Sequence, residues 1–123
     1  MNKNKYQLKM NYPKPPYQSG CKFLSVQDVN QNDIEGYYMF ECPGCNEHHF
    51  LNVDEKRMIA WDFNFDFFKP TVKPSILVRI PEIVGSKGSA CHFFITDGKI
   101  EYLTDCTHYL AGKTVDMIDV VKI

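Results

Sequence analysis

The sequence predicts a mostly β domain, and three observations carry that prediction. Cys42-Pro43-Gly44-Cys45 sits between two strand-like runs, Tyr37-Tyr38-Met39-Phe40 and His49-Phe50-Leu51-Asn52-Val53. Trp61-Asp62-Phe63-Asn64-Phe65-Asp66-Phe67 alternates aromatic and polar residues, the period of a strand with one buried face. Asp97-Gly98 separates the apolar runs 91–96 and 99–103, where a two-residue type I′ hairpin needs positive φ at both turn positions. No long helical period and no internal repeat competes with this reading.

In chain order, residues 1–20 are polar and basic, with Pro13, Pro15 and Pro16 close together, and read as an extended N-terminal arm. Residues 21–123 read as a single β domain. A short strand is expected over 21–26 and a turn-rich connection over 30–36. The Cys knuckle and its two flanking strands follow, then the aromatic alternation 61–67 as one strand. Pro70 and Pro74 bracket a bend, and Ser75-Ile76-Leu77-Val78-Arg79-Ile80 is the next strand. Residues 85–89, Gly-Ser-Lys-Gly-Ser, form a loop before the Asp97-Gly98 hairpin. One helical turn over 107–111 stops at Gly112, and 115–123 closes the fold as a last strand.

The 123 residues make one domain, 44 % hydrophobic and rich in rings, with nine Phe, seven Tyr and one Trp. A formal net charge of −1 provides no global field toward nucleic acid or acidic lipid. No apolar run approaches the ~18 residues that cross a bilayer, and the N-terminal residues contain no secretory apolar block. The expected compartment is the cytosol, which becomes the host cytoplasm under the resemblance given below. Five cysteines suit it, because reducing cytosol disfavours disulfides and an odd count leaves one thiol over.

Those cysteines carry the chemistry. Cys-x-x-Cys with Pro and Gly inside is a tight turn that aims two thiolates at one point, which a divalent metal requires and Zn²⁺ completes with four ligands. Cys42 and Cys45 are therefore the first two expected ligands. Cys91 and His92 are neighbours on a strand and face opposite ways, so one of them reaches the metal. Cysteine is the softer partner for a site already holding two thiolates, which favours Cys91. Cys106 and His108 compete for the fourth place. The fold expected is thus a small β-sandwich or open barrel pinned by zinc, with a zinc-ribbon-like Cys-x-x-Cys hairpin. His92 and Asp105 remain beside these ligands as candidate catalytic groups. His48 and His49 follow the knuckle, and either can be a surface strand residue. The aromatic stripe reads as core, and the Lys- and Tyr-containing arm reads as a solvated tail, so nucleic acid is disfavoured as a partner.

The combined motif also resembles a known family. Cys42-Pro43-Gly44-Cys45, Trp61-x-Phe63-Asn64, Pro70-Thr71-x-x-Pro74-Ser75-Ile76, Cys91-His92-x-Phe94-Ile95-x-Asp97-Gly98-x-Ile100 and Asp105-Cys106-Thr107-His108-x-Leu110-Ala111-Gly112-x-Thr114-Val115 are similar to a small phage and prophage family. That family is catalogued as a domain of unknown function, and some members carry the label ammonia monooxygenase. The resemblance covers about residues 37–118. It implies a phage-borne, cytosolic, zinc-binding protein, and it favours His108 as fourth ligand, since related sequences can carry Ser at the position of Cys106.

Two functions follow as expectations. The first is a phage-encoded zinc-binding accessory protein that binds a host protein, a defence component or a small-molecule ligand. The second is a zinc-dependent hydrolase using His92, His108 and Asp105 beside the metal.

Overall fold

The computed structural model describes residues 12–122. Eight strands form two open antiparallel sheets. The first sheet has the order β1-β2-β3, from Leu24–Gln27, Asp33–Cys42 and Glu47–Asn52. The second is β4-β5-β6-β7-β8, from Asp62–Phe63, Val72–Ile80, Ser89–Thr96, Lys99–Tyr102 and Thr114–Asp116. Among the described residues the only helical element is a 3₁₀ turn over Val120–Lys122.

Period-two burial explains how the sheets meet. Tyr38, Phe40 and Cys42 of β2 are buried, as are Cys91, Phe93 and Ile95 of β6 and Ile100 and Tyr102 of β7. The two faces share one ring-rich core: Phe40 meets Phe93 edge-on at 5.8 Å, and Phe63 meets Phe23 at 5.4 Å and Tyr38 at 5.9 Å. Edge-to-face geometry adds about 0.5–1.5 kcal/mol per pair to the area buried. Tyr38 also donates to the Pro13 carbonyl at 2.6 Å, holding the chain at that residue against β2. Residues 1–11 of the expected arm, with Lys3, Lys5 and Lys9, lie outside the described residues.

The hairpin at Asp97-Gly98 has φ of 51° and 80°, the left-handed pair that its turn type demands. Four expected elements differ, the first being the helical turn over 107–111, which is a turn closed by the Ala111 amide on the His108 carbonyl at 3.2 Å. The strand over 61–67 is a strand only at Asp62–Phe63. Beyond it the polar residues of the alternation fold the chain onto itself: Asn64 Oδ1 accepts the amides of Asp66 and Thr71, and Asp66 Oδ1 those of Phe68 and Lys69. Such Asx contacts offer the backbone an alternative to a ladder. Phe63 and Phe67 are buried all the same. The connection expected over 30–36 is shorter, because Asp28 Oδ1 caps the amides of Asn30 and Asn32 and β2 already begins at Asp33. The last strand ends at Asp116, where the chain turns back to Cys21, whose carbonyl accepts the Val120 amide at 2.9 Å.

Candidate functional site

Strand β6 carries chemistry on both faces. Its inward side brings Cys91 to the knuckle at the β2–β3 turn; its outward side presents His92.

On the inward side, Cys42, Cys45, His49 and Cys91 place one donor atom each within 4.8 Å of one another. The knuckle is fixed by the Asn46 amide, which donates to the Cys42 carbonyl at 2.8 Å, and by Asn46 itself at φ 58°. Cys42, His49 and Cys91 are buried and Cys45 half-buried. His49 lies stacked on Phe93 at 5.6 Å, and its Nε2 is buried with no hydrogen-bond partner. An orphaned buried imidazole nitrogen facing three sulfurs is a donor set that fits a metal ion. The Cys91 thiol beside it holds Cys42 down to about 3. Cys91 is pushed up, chiefly by that same hydrogen bond and then by burial. Burial, and next the Cys42 charge, push Cys45 up to about 11. The three sulfurs thus lie close enough that the charge on one opposes ionisation of the next.

The surroundings supply hydrogen bonds to the sulfurs. The Tyr102 hydroxyl lies 3.0 Å from Cys42 Sγ and accepts the Gly44 amide at 3.3 Å, so its proton goes to the sulfur. His108 Nδ1 accepts the Leu110 amide at 3.2 Å, which leaves the proton on Nε2, 3.4 Å from Cys91 Sγ. His108 thus donates to a sulfur that the four-donor group already uses. With Cys91 and Cys106 it forms a second cluster of possible ligands. Cys106 is held elsewhere: its thiol donates to the His92 carbonyl at 3.1 Å and its sulfur accepts the His92 amide at 3.2 Å. The fourth donor beside Cys42, Cys45 and Cys91 is His49, a residue that sequence reasoning left as a surface candidate. Period two from buried Leu51 already points it inward.

Gly44 makes this packing possible, because a Cβ there would overlap the His108 ring. Gly44→Ala is expected to displace His108 and destabilise the domain by about 1–3 kcal/mol, read from the midpoint of a denaturant melt.

On the outward side, His92 meets two residues from other segments. Its Nε2 lies 3.2 Å from Ser75 Oγ, and its Nδ1 lies 3.0 Å from Asp105 Oδ2 and 3.3 Å from Oδ1. A carboxylate only accepts, so Nδ1 bears the proton and the Nε2 lone pair faces the serine hydroxyl. Ser75 lies where the β5–β6 register slips between Val72 and Ile76, an irregularity that re-aims side chains. Asp105 is placed by the chain after β7, which runs alongside β6: Leu103 N–H bonds to the His92 carbonyl and Thr107 N–H to the Ala90 carbonyl, each at 2.9 Å. The His92 side chain is 26 % exposed and that of Asp105 59 %, so this face is open. His92 and Asp105 were singled out from sequence; Ser75 was not named as a candidate, although it stands in the Pro74-Ser75-Ile76 part of the family motif, since His92 and Asp105 lie 17 and 30 residues away in the chain.

Two open sheets thus carry a Cys/His cluster on one side of β6 and, on the other, a serine, an imidazole and a carboxylate in the contact order that hydrolytic acyl transfer uses. Residues 16–103 match the family described as bacterial ubiquitination-like system serine protease (BubE), and the chain belongs to that family. No curated protein and no solved structure matches it.

These findings overturn the function expected from sequence. A family of serine proteases is not one of zinc-binding accessory proteins that act by binding a host factor, and the match carries neither the phage link nor the ammonia monooxygenase label. The zinc-hydrolase alternative gains no support either. His92 and Asp105 stand on the opposite face of β6 from the sulfurs, and His92 Nε2 is engaged with Ser75. Among the described residues no helix is long and apolar enough to cross a membrane.

Proposed function

We propose that this chain is a serine peptidase acting in a bacterial ubiquitination-like system, with Ser75 as nucleophile, His92 as general base and Asp105 as the group that orients His92. The observation that carries the reading is the contact order Ser75 Oγ to His92 Nε2, then His92 Nδ1 to Asp105, at 3.2 and 3.0 Å. That order assigns each ring nitrogen the role a triad needs. His92 takes the hydroxyl proton as Ser75 Oγ attacks the scissile carbonyl. It then gives the proton to the leaving amine, and water resolves the acyl-serine by the same route. Asp105 stabilises the imidazolium formed in each half.

Cys42, Cys45, His49 and Cys91 would hold Zn²⁺, the metal suited to a Cys₃His set. Four protein ligands close such a site, so its contribution is structural: it ties the β2–β3 turn to β6, one residue from His92.

The test is labelling with a fluorophosphonate, which reacts with activated serines, followed by peptide mapping. Adduct at Ser75, lost in His92→Ala, is the expected result; a folded chain that takes no label at Ser75 overturns the assignment. Asp105→Asn is expected to slow turnover by about 10²–10⁴-fold with the melting temperature unchanged, since the amide favours the wrong tautomer of His92.

A further inference from the structure

We propose that the substrate binds as an extended polypeptide strand added to the free edge of β5, beginning beside Ser75; this rests on the peptidase reading above. The edge follows from hydrogen-bond direction. His92 turns its amide and carbonyl toward the chain after β7, to Cys106 Sγ and the Leu103 amide. In an antiparallel ladder such orientation alternates, so Cys91 and Phe93 turn theirs toward β5 and meet Val78 and Ile76. Leu77 and Arg79 therefore aim their amides and carbonyls away from β6. The other neighbour of β5 is β4, which reaches only Val72 and Lys73. Among the described residues nothing pairs with Leu77 or Arg79.

The edge is bounded where the chemistry lies. Ser75 carbonyl, the next outward acceptor along the strand, is taken by the Trp61 indole N–H at 3.2 Å. A strand paired with Leu77 and Arg79 thus finds its next ladder acceptor taken at Ser75, the residue whose Oγ meets His92. Side-chain chemistry agrees. Leu77 lies opposite His92 in the register and is 50 % exposed, with Phe94 38 % exposed on the same face. Toward the other side, Val78 and Ile80 line a cavity of about 250 Å³ bordered by Gly44, Cys45 and Glu47. An edge with unpaired amides is normally blunted or covered; here a short one, at Leu77 and Arg79, is left open along the strand that carries Ser75. Main-chain pairing then supplies affinity, and the two apolar surfaces select apolar side chains at alternate substrate positions.

The experiment compares protection of Ser75 from fluorophosphonate by boronates of three kinds: acetyl-leucine boronate, its trileucine homologue, and that homologue N-methylated at one or the other of its two internal amides. The expected result is that trileucine protects at least tenfold better than the single residue. N-methylation at one internal amide should cost about three- to tenfold and at the adjacent one little, the alternation of a strand. Leu77→Asp, at a half-exposed position, should remove the trileucine advantage while fluorophosphonate labelling persists. Equal protection by all these boronates, with Ser75 still labelled, overturns the edge and leaves the peptidase reading standing. No labelling of Ser75 overturns both. A shift from dimer to monomer in Leu77→Asp with protection unchanged assigns the edge to a second copy of the chain and likewise overturns the proposal.

Discussion

Ser75→Ala is expected to lower turnover by about 10⁴–10⁶-fold without changing the fold. The hydroxyl lies on an open sheet face, and its recorded contact is His92 Nε2 at 3.2 Å. Losing one such hydrogen bond costs stability only about 1 kcal/mol. Among the described residues, the same oxygen is the one placed to attack a carbonyl while handing its proton to His92. Stability and activity should therefore separate cleanly, with a melting curve close to the parent and single-turnover cleavage near background. His92→Ala should cost as much, and the double variant no more than either, because the pair acts as one unit. A Ser75→Ala chain retaining more than about a hundredth of parental activity contradicts the triad.

That the nucleophile escaped notice in the sequence while its partners did not has a physical cause. Cys42-Pro43-Gly44-Cys45 is a local device: turn, sulfurs and spacing lie within four residues and read the same in any fold. Alternation along β6 likewise separates Cys91 from His92 without knowledge of their neighbours. Ser75, His92 and Asp105 meet only after β5 and β6 pair and the chain beyond β7 zips back to Ala90, and serine is too common to stand out alone. His49 was ambiguous for a related reason, since its value depends on three sulfurs from two other elements. The aromatic alternation 61–67 was informative about burial and misleading about backbone. Phe63 and Phe67 do enter the core, yet Asn64 and Asp66, read as the solvent face of a strand, spend their side chains on turn amides. Period two reports which side chains are apolar; it does not report where a polar side chain finds its hydrogen bond.

The second large effect concerns the metal. One zinc per chain is expected by elemental analysis of protein purified without added metal, and stripping it should abolish the cooperative melt or lower its midpoint by about 20 °C or more. Structural zinc in small domains carries apparent binding free energies of about 10–16 kcal/mol, comparable to or above the whole stability of a domain this size. Here the four candidate donors come from the end of β2, the turn after it, β3 and β6, so an ion held there would tie the two sheets together. Variants sort the ligands. Cys42→Ser and His49→Ala should both lose the metal, whereas His108→Ala, which removes a hydrogen bond to Cys91, should weaken binding about 10–100-fold and keep the ion at high zinc. Retention of metal by His49→Ala together with its loss in His108→Ala would exchange the two roles. A metal-free chain that melts as the parent does would show that the three sulfurs need no cation. Activity should fall with the metal, and for a reason other than catalysis by it. Cys91 and His92 are consecutive, so slack on the sulfur side of β6 moves the imidazole that must stay within reach of Ser75 and Asp105. Zinc restored to a stripped but refoldable chain should therefore recover fluorophosphonate labelling and the melt together.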